Sequence, residues 1–498
     1  MSNKKQPLRS IMFVGTGSDV GKSIINAGFC RIFKQDGYTP APFKAQNMSL
    51  NSYPTPDGLE IGRAQAVQAE ACGIACSHLM NPVLLKPIGN CTSQVIVNGK
   101  AVGNRSAKEY FSNGPEGTNA LWKAVTEAFS TLHSQYNPIV LEGAGSISEL
   151  NLRDRDIVNM RMALHANAAT FLVADIDRGG VFASVVGSLQ LLPENERKLV
   201  KGVIINKFRG DIDLFKEGKK QLEEITQIPI IGIVPYYSDI YIDEEDSVTL
   251  SNKTKQTQNN KVQIAVVLLN KLSNFTDFNV LERDKRCTLF YSANPQEITE
   301  ADIIIIPGSK NTIEDLQALR KTGMAQAILQ AHQNGKTVIG ICGGYQIMGQ
   351  LVSDPFHIES DIEHMPGLGL LPIETILEAE KITQQRHFKF LDNTDDCIGY
   401  EIHQGRSIVP ENNKESALCI LDNQQKDGYF LNEKCWGTYL HGILDNSTVV
   451  DALIAPYHQS STIQNTDIQS FKEKQYNALA DHLRQHCDID LIYSILKY

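Results

Sequence analysis

Two segments of the chain carry residue types suited to chemistry at a carboxyl group. The first is Gly15, Thr16, Gly17, Ser18, Asp19, Val20, Gly21, Lys22, Ser23, directly after the apolar run Ile11–Val14. A glycine-rich turn between a strand and a helix lets backbone N–H groups approach phosphate oxygens, and the helix N-terminus favours negative charge. The turn formed by Gly15, Thr16, Gly17, Asp19 and Gly21 is therefore the expected nucleotide cradle. Lys22 would neutralise the β- and γ-phosphates, and Ser23 would sit on Mg²⁺. The strict P-loop pattern wants glycine where Thr16 stands, so this is a variant loop.

The second segment is Gly340, Ile341, Cys342, Gly343, Gly344, which ends the apolar run Thr337–Ile341 and precedes a helix-like stretch, Tyr345–Leu351. Glycines around a cysteine at a strand end allow the sharp turn that presents a nucleophile at a sheet edge. The helix N-terminus behind it favours thiolate. A cysteine nucleophile needs a base. His441, in Gly437–Gly442 (GTYLHG), is the first choice, and His403 the second. Ile306 to Ser309 ends another strand, where the N–H of Gly308 could join that of Gly343 in an oxyanion hole. A Cys–His pair of this kind releases ammonia from a primary amide through a thioester.

Further polar groups fall at strand ends. Glu142, after Ile139–Leu141, could hold Mg²⁺ directly or through water. Asp175 and Asp177 alternate and would face the same side, toward a substrate, if their strand continues that far. Asn206 with Lys207 follows Ile205 as a candidate nucleotide-base contact. Phe43–Asn51 (FKAQNMSLN) reads as a polar loop in which Lys44, Gln46 and Asn47 could meet a carboxylate-rich or amide-rich substrate. Cys72 and Cys76 have no second pair of matching pattern, which argues against structural zinc.

The elements that must position these groups form two series. Apolar runs at Ile11–Val14, Ile139–Leu141, Thr170–Ala174, Gly202–Ile205 and Pro229–Val234 make one; Val262–Leu269, Ile303–Ile306 and Thr337–Ile341 make the other. Such runs fit strands buried on both faces of parallel sheets. Helix-like segments Ile61–Ile74, Ala120–Leu132 and Ile313–Gln333 lie between them, so the fold class is α/β. The polar stretch Ser251–Asn260 separates the series. The expected domains are an ATP-binding half at 1–250, a linker at 251–260, a glutaminase half at 261–458 and a helical segment at 459–498. A chain of 498 residues with 42% hydrophobic residues can fill two cores. Its net charge of −10 opposes nucleic acid as a main partner. No stretch reaches the length of a membrane span, and the scattered cysteines suit a reducing compartment, so a cytoplasmic protein is expected. Nothing in the sequence fixes an oligomeric state.

These motifs together resemble the cobyric acid synthase family, glutamine-hydrolysing amidotransferases of cobalamin biosynthesis. The resemblance runs from about Ile11 to Leu444 and rests on Phe43–Asn51, Asp156–Met160 (DIVNM), Ala174–Gly180 (ADIDRGG), Asn206–Asp211 (NKFRGD), Pro307–Thr312 (PGSKNT), Gly340–Gly344 and Gly437–Gly442. It implies a dethiobiotin synthetase-like P-loop domain followed by a class I glutamine amidotransferase domain. It implies ATP, Mg²⁺, glutamine and a corrinoid, with amidation of the b, d, e and g carboxylates of adenosylcobyrinic acid a,c-diamide. Lys22, Ser23 and Glu142 carry over as nucleotide and Mg²⁺ contacts, Lys44 as a second lysine at the phosphoryl-transfer site, and Cys342 with His441 as the glutaminase pair. Many class I glutaminases place Glu two residues after the histidine; Ile443 stands there, so what orients His441 is open. Two rival readings are the related cobyrinic acid a,c-diamide synthase and a partitioning-type P-loop ATPase with an inactive glutaminase domain.

Overall fold

The computed structural model describes residues 5–89, 91–111, 117–237, 239–243, 261–457 and 468–497. The expected linker at 251–260 and the first residues of the expected helical segment, 459–467, lie outside the described residues.

In the first half, six strands run parallel in the order Ile230–Pro235, Val200–Phe208, Ala169–Asp175, Ile11–Gly15, Ile139–Glu142, Ala41–Phe43. Every apolar run expected as a strand here forms one. Their side chains are buried on both faces, Phe13 and Phe171 among them, which is why each run is continuously apolar rather than alternating. Gly15, Glu142 and Asp175 end three adjacent strands at one edge, where a parallel sheet opens to ligand. The helix Lys22–Gln35 starts at that edge, its N-cap Gly21 held at φ +93°.

The Phe43–Asn51 segment is more ordered than a loop. Gln46–Met48 is a short strand parallel to Val83–Pro87, at the edge of a small sheet. The helix expected at Ile61–Ile74 spans Arg63–Cys72. The last helices, Ile468–His486 and Ile489–Leu496, return to the first half. Leu479 and Leu483 pack against the Lys22–Gln35 helix so closely that a Cβ on Gly28 would lie 2.3 Å from Leu483 Cδ1. Cys487 bridges to Gly232 on the edge strand.

The second half repeats the plan. Cys287–Ser292, Val262–Val267, Ile303–Ile306, Thr337–Ile341 and Cys435–Thr438 are parallel in that order, with Tyr429–Asn432 antiparallel at the edge. The isoleucines of Ile303–Ile306 are fully buried, and burying each side chain contributes roughly 2 kcal/mol. The region read as one helix, Ile313–Gln333, is two, Thr312–Lys321 and Met324–Gln333, broken at Gly323 with φ +78°. A long antiparallel hairpin, Glu374–Phe390 with Cys397–Ile408, was not foreseen; its alternating, partly polar pattern lacks the uniform apolar signal of the parallel strands.

The halves meet directly. Ser52 N–H donates to Asn274 Oδ1 at 3.1 Å, Phe275 N–H to Asn51 Oδ1 at 3.2 Å, and Gln385 Nε2 to Pro54 O at 2.9 Å. The strip Lys44–Pro54 is thus the wall between the two strand-end sites.

Candidate active site

Cys342 sits between the strand Thr337–Ile341 and the helix Gly343–Met348 with φ +52° and ψ −110°, a conformation costly for a residue with a side chain. The glycines around it explain how the turn closes. A Cβ on Gly344 would lie 1.9 Å from Ile306 O, one on Gly343 2.7 Å from Ser309 N, and one on Gly340 2.6 Å from Met348 Sδ. Cys342 N–H donates to Thr438 O at 2.7 Å, which pins the elbow to the strand leading to His441. The strand end at Gly308 abuts the same place: its missing Cβ would lie 3.2 Å from His441 Cε1.

His441 is buried, and the Cys342 sulfur is among the groups that act on its imidazole. Its Nδ1 lies 2.7 Å from Asp277 Oδ2, leaving Nε2 for the sulfur, while Asp277 Oδ1 accepts from Gly442 N–H at 3.0 Å. Tyr400 stacks on the ring at 5.3 Å between centroids. Burial opposes a charge on His441, but the Asp277 carboxylate and the Cys342 sulfur outweigh it and push the pKa up to about 10. The open question of what orients His441 therefore has a structural answer in Asp277. It lies in a 3-10 turn, Phe275–Phe278, 164 residues before the histidine. Nothing in its local sequence marks it. His403 lines a cavity with Cys342 but is otherwise engaged: Nε2 lies 3.3 Å from Glu401 Oε1, Nδ1 lies 3.1 Å from Gly405 O, and the ring stacks on Tyr439 at 3.8 Å.

In the first half, Lys22 folds back over its own loop, with Nζ donating to Gly17 O at 2.9 Å and to Gly145 O at 3.0 Å. A Cβ on Gly15 would lie 2.9 Å from that Nζ, so glycine is what admits the lysine. Glu142 is buried at the centre of the site. Its Oε1 accepts from Ser23 Oγ at 2.8 Å and from Lys44 Nζ at 2.9 Å, and its Oε2 from Gln68 Nε2 at 2.6 Å. Gln68, on the Arg63–Cys72 helix, gave no sign in the sequence. Asp19, Gly21, Lys22, Ser23, Lys44, Gln46, Asn47 and Glu142 all line one cavity of about 1020 Å³. Thr16 and Gly17 face an adjoining cleft. Two cationic amines, a hydroxyl and a carboxylate at one end suit a triphosphate with a hard divalent ion. Among the described residues no group of three or more His, Cys, Asp or Glu is placed to hold a metal. An ion here would take protein oxygens from Ser23 and Glu142 and the rest from phosphate and water, the habit of Mg²⁺.

Asp175, Asp177 and Asn206, expected at the site, do not line the large cavity. The strand stops at Asp175, whose Oδ1 accepts from Asp177 N–H at 2.8 Å, so the pair does not share one strand face. Lys207 lies 3.0 Å from Asp175 Oδ2 and Arg209 2.8 Å from Asp177 Oδ1, and neither aspartate lines the large cavity. Asn206 donates Nδ2 to Val20 O at 2.8 Å and so braces the phosphate loop beneath Gly21. Cys72 and Cys76 are free thiols.

Comparison with known proteins gives two family matches. Residues 11–250 match the CobQ/CobB/MinD/ParA nucleotide binding domain, and residues 263–449 match the CobB/CobQ-like glutamine amidotransferase domain. Cobyric acid synthase of Bacteroides fragilis is 58% identical over 98% of each chain. That of Parabacteroides distasonis is 58% identical over 99% of this chain and 100% of its own. The Syntrophobacter fumaroxidans enzyme of the same name is 46% identical over 98% of each.

Proposed function

The chain belongs to the cobyric acid synthase family, and from that premise we propose how its two sites divide one reaction. It is an ATP-dependent, glutamine-fed amidotransferase. The proposed acceptor is adenosylcobyrinic acid a,c-diamide, amidated at its b, d, e and g carboxylates to adenosylcobyric acid in the cytoplasm. The observation that carries the division is the shared wall: Lys44 and Gln46 lie on the phosphate side of the strip whose Asn51 and Ser52 bond the turn leading to Asp277.

In the glutaminase half, Cys342 Sγ attacks the carboxamide carbon of glutamine. The Gly343 N–H, with one from the adjoining Gly308–Ser309 strand end, would hold the oxygen that gains charge. The C–N bond breaks as the His441 imidazolium gives its proton to the leaving nitrogen, releasing ammonia and leaving a thioester. Water then attacks the thioester with His441 as base, returning the thiol and glutamate. Asp277 keeps the ring in the tautomer and orientation both steps need.

In the other half, Lys22 and Lys44 would neutralise the transferring phosphoryl group, and Ser23 and Glu142 would hold Mg²⁺. Bound ATP supplies the phosphoryl group that turns a carboxylate, a poor electrophile, into an acyl phosphate that ammonia can displace. The cavity extends past the phosphate end to Arg153, Arg155 and Arg161 and to the apolar side chains Leu152 and Leu164. This mixture suits a large ring fringed with carboxylates. Gln46 and Asn47 line the same cavity. Mass spectrometry of the corrinoid incubated with enzyme, glutamine, ATP and Mg²⁺ should show four successive amidations. An unchanged corrinoid alongside active glutamine hydrolysis would move the chemistry to another carboxylate.

A further inference from the structure

The cavity that contains Cys342 is small, about 40 Å³. Its wall is unusually rich in charge for an enclosed space. Lys86, Lys310, Lys381, Glu359 and His403 all line it. Most of these charges have partners. Lys86 Nζ lies 2.9 Å from Glu60 Oε1, and Lys381 pairs with the other oxygen of the same carboxylate, a cluster drawn from both halves of the chain. His403 has Glu401.

Lys310 and Glu359 differ. Lys310 is 8% exposed, and among the described residues no carboxylate stands within ion-pair distance of it. Glu359 accepts from Thr312 N–H at 2.8 Å but likewise has no cation at that range. Each feels the other, yet they do not touch: burial pushes the Glu359 carboxyl up to about 7 and lowers the Lys310 ammonium, and their mutual attraction only partly offsets this. A buried lysine and a half-buried carboxylate that line one cavity without pairing are left short of a counter-charge unless a ligand completes them.

We infer that Lys310 and Glu359 read the α-carboxylate and the α-ammonium of glutamine, so that the amide reaching Cys342 belongs to the free amino acid and not to another primary amide. The inference rests on the glutaminase reading above. Lys310 directly follows the Gly308–Ser309 strand end, and Glu359 is tied to Thr312, the first residue of the next helix, so both are fixed relative to the nucleophile. A zwitterion with one charge for each would satisfy both, whereas an amide lacking either charge would leave one group unanswered.

The test uses full-length enzyme with three amides: glutamine, 4-aminobutanamide (no α-carboxylate) and 5-amino-5-oxopentanoate (no α-ammonium). Initial rates of ammonia release give kcat/KM for each. Lys310→Met should lower kcat/KM for glutamine about 10- to 100-fold, mainly through KM, and change 4-aminobutanamide less than threefold. Glu359→Gln should do the same for glutamine and spare 5-amino-5-oxopentanoate. Lys310→Arg, which keeps the charge, should recover part of the loss, and unchanged melting temperatures would show the variants folded. Equal losses on glutamine and on the matching analogue overturn the inference. A wild-type enzyme that releases no ammonia from glutamine would instead overturn the glutaminase reading itself.

Discussion

Replacing Asp277 by Asn is the most informative single change in the glutaminase half. The substitution keeps size and can keep the acceptor for Gly442 N–H, but it removes the charge 2.7 Å from His441 Nδ1. If the Asn amide nitrogen turns to that ring atom, it donates where Asp accepted. Nδ1 must then be bare and Nε2 carries the proton, so the ring cannot take a proton from the thiol. The energetic side follows from the shift of His441 from 6.5 to about 10, roughly 5 kcal/mol of preference for the charged ring. If Asp277 supplies about half, its loss costs on the order of 2–3 kcal/mol, or on the order of a hundredfold in rate, before any tautomer effect. Glutamine-dependent turnover should therefore fall about a hundredfold or more, and the basic limb of its pH profile should move down from near 10. Amidation fed by ammonium salts should persist. A variant with glutamine-dependent kcat within twofold of wild type and an unmoved pH profile would refute the proposed role.

Four other outcomes are expected. Cys342→Ala should abolish glutamine-dependent amidation and spare the ammonia-fed reaction, read by corrinoid mass; equal loss of both would contradict the division of labour. Lys22→Ala should stop amidation from either nitrogen source, because charge on the transferring phosphoryl group goes unanswered. Gly344→Ala, whose Cβ would lie 1.9 Å from Ile306 O, should displace the elbow and cut glutamine hydrolysis at least about tenfold while ATP binding by calorimetry is unchanged. Asp243 is held down to about 2 against its burial, by Arg63 and Lys472. A depressed carboxylate stabilises the fold above its unfolded pKa and loses that contribution as pH falls through the folded value. Between pH 4 and 2, then, urea unfolding should show about 2 kcal/mol lost through this group, and Asp243→Asn should flatten that part of the curve.

Much of the scaffold was legible because parallel strands buried on both faces read as unbroken apolar runs. Ile303–Ile306 and Thr337–Ile341 have the same bounds in sequence and structure. The glycine-flanked Cys342 and the Gly21, Lys22, Ser23 turn were legible for a related reason: each needs local residue types at fixed spacing. What stayed hidden depends on distant parts of the chain. Asp277 reaches His441 across the fold, Gln68 reaches Glu142 from a helix face, and both sit in unremarkable local sequence. Asp175 and Asp177 misled because alternation was extended past the strand end, where the backbone turns. The bond from Asn206 to the loop carbonyl of Val20 was hidden because it joins residues 186 apart. The return of the last helices to the first half follows from the packing of Leu479 and Leu483 against Gly28, which no local pattern announces.

The central claim is that nitrogen freed at Cys342 passes to a carboxylate activated beside Lys22 within one chain. The direct measurement supplies glutamine with a heavy amide nitrogen together with an excess of ordinary ammonium, then reads the isotope in the corrinoid amides. Most new amides should carry the heavy label despite the competing pool, and Cys342→Ala should reverse the ratio. Wild-type product whose label merely matches the bulk ammonia would contradict the account, because nitrogen would then be reaching the carboxylate from solution.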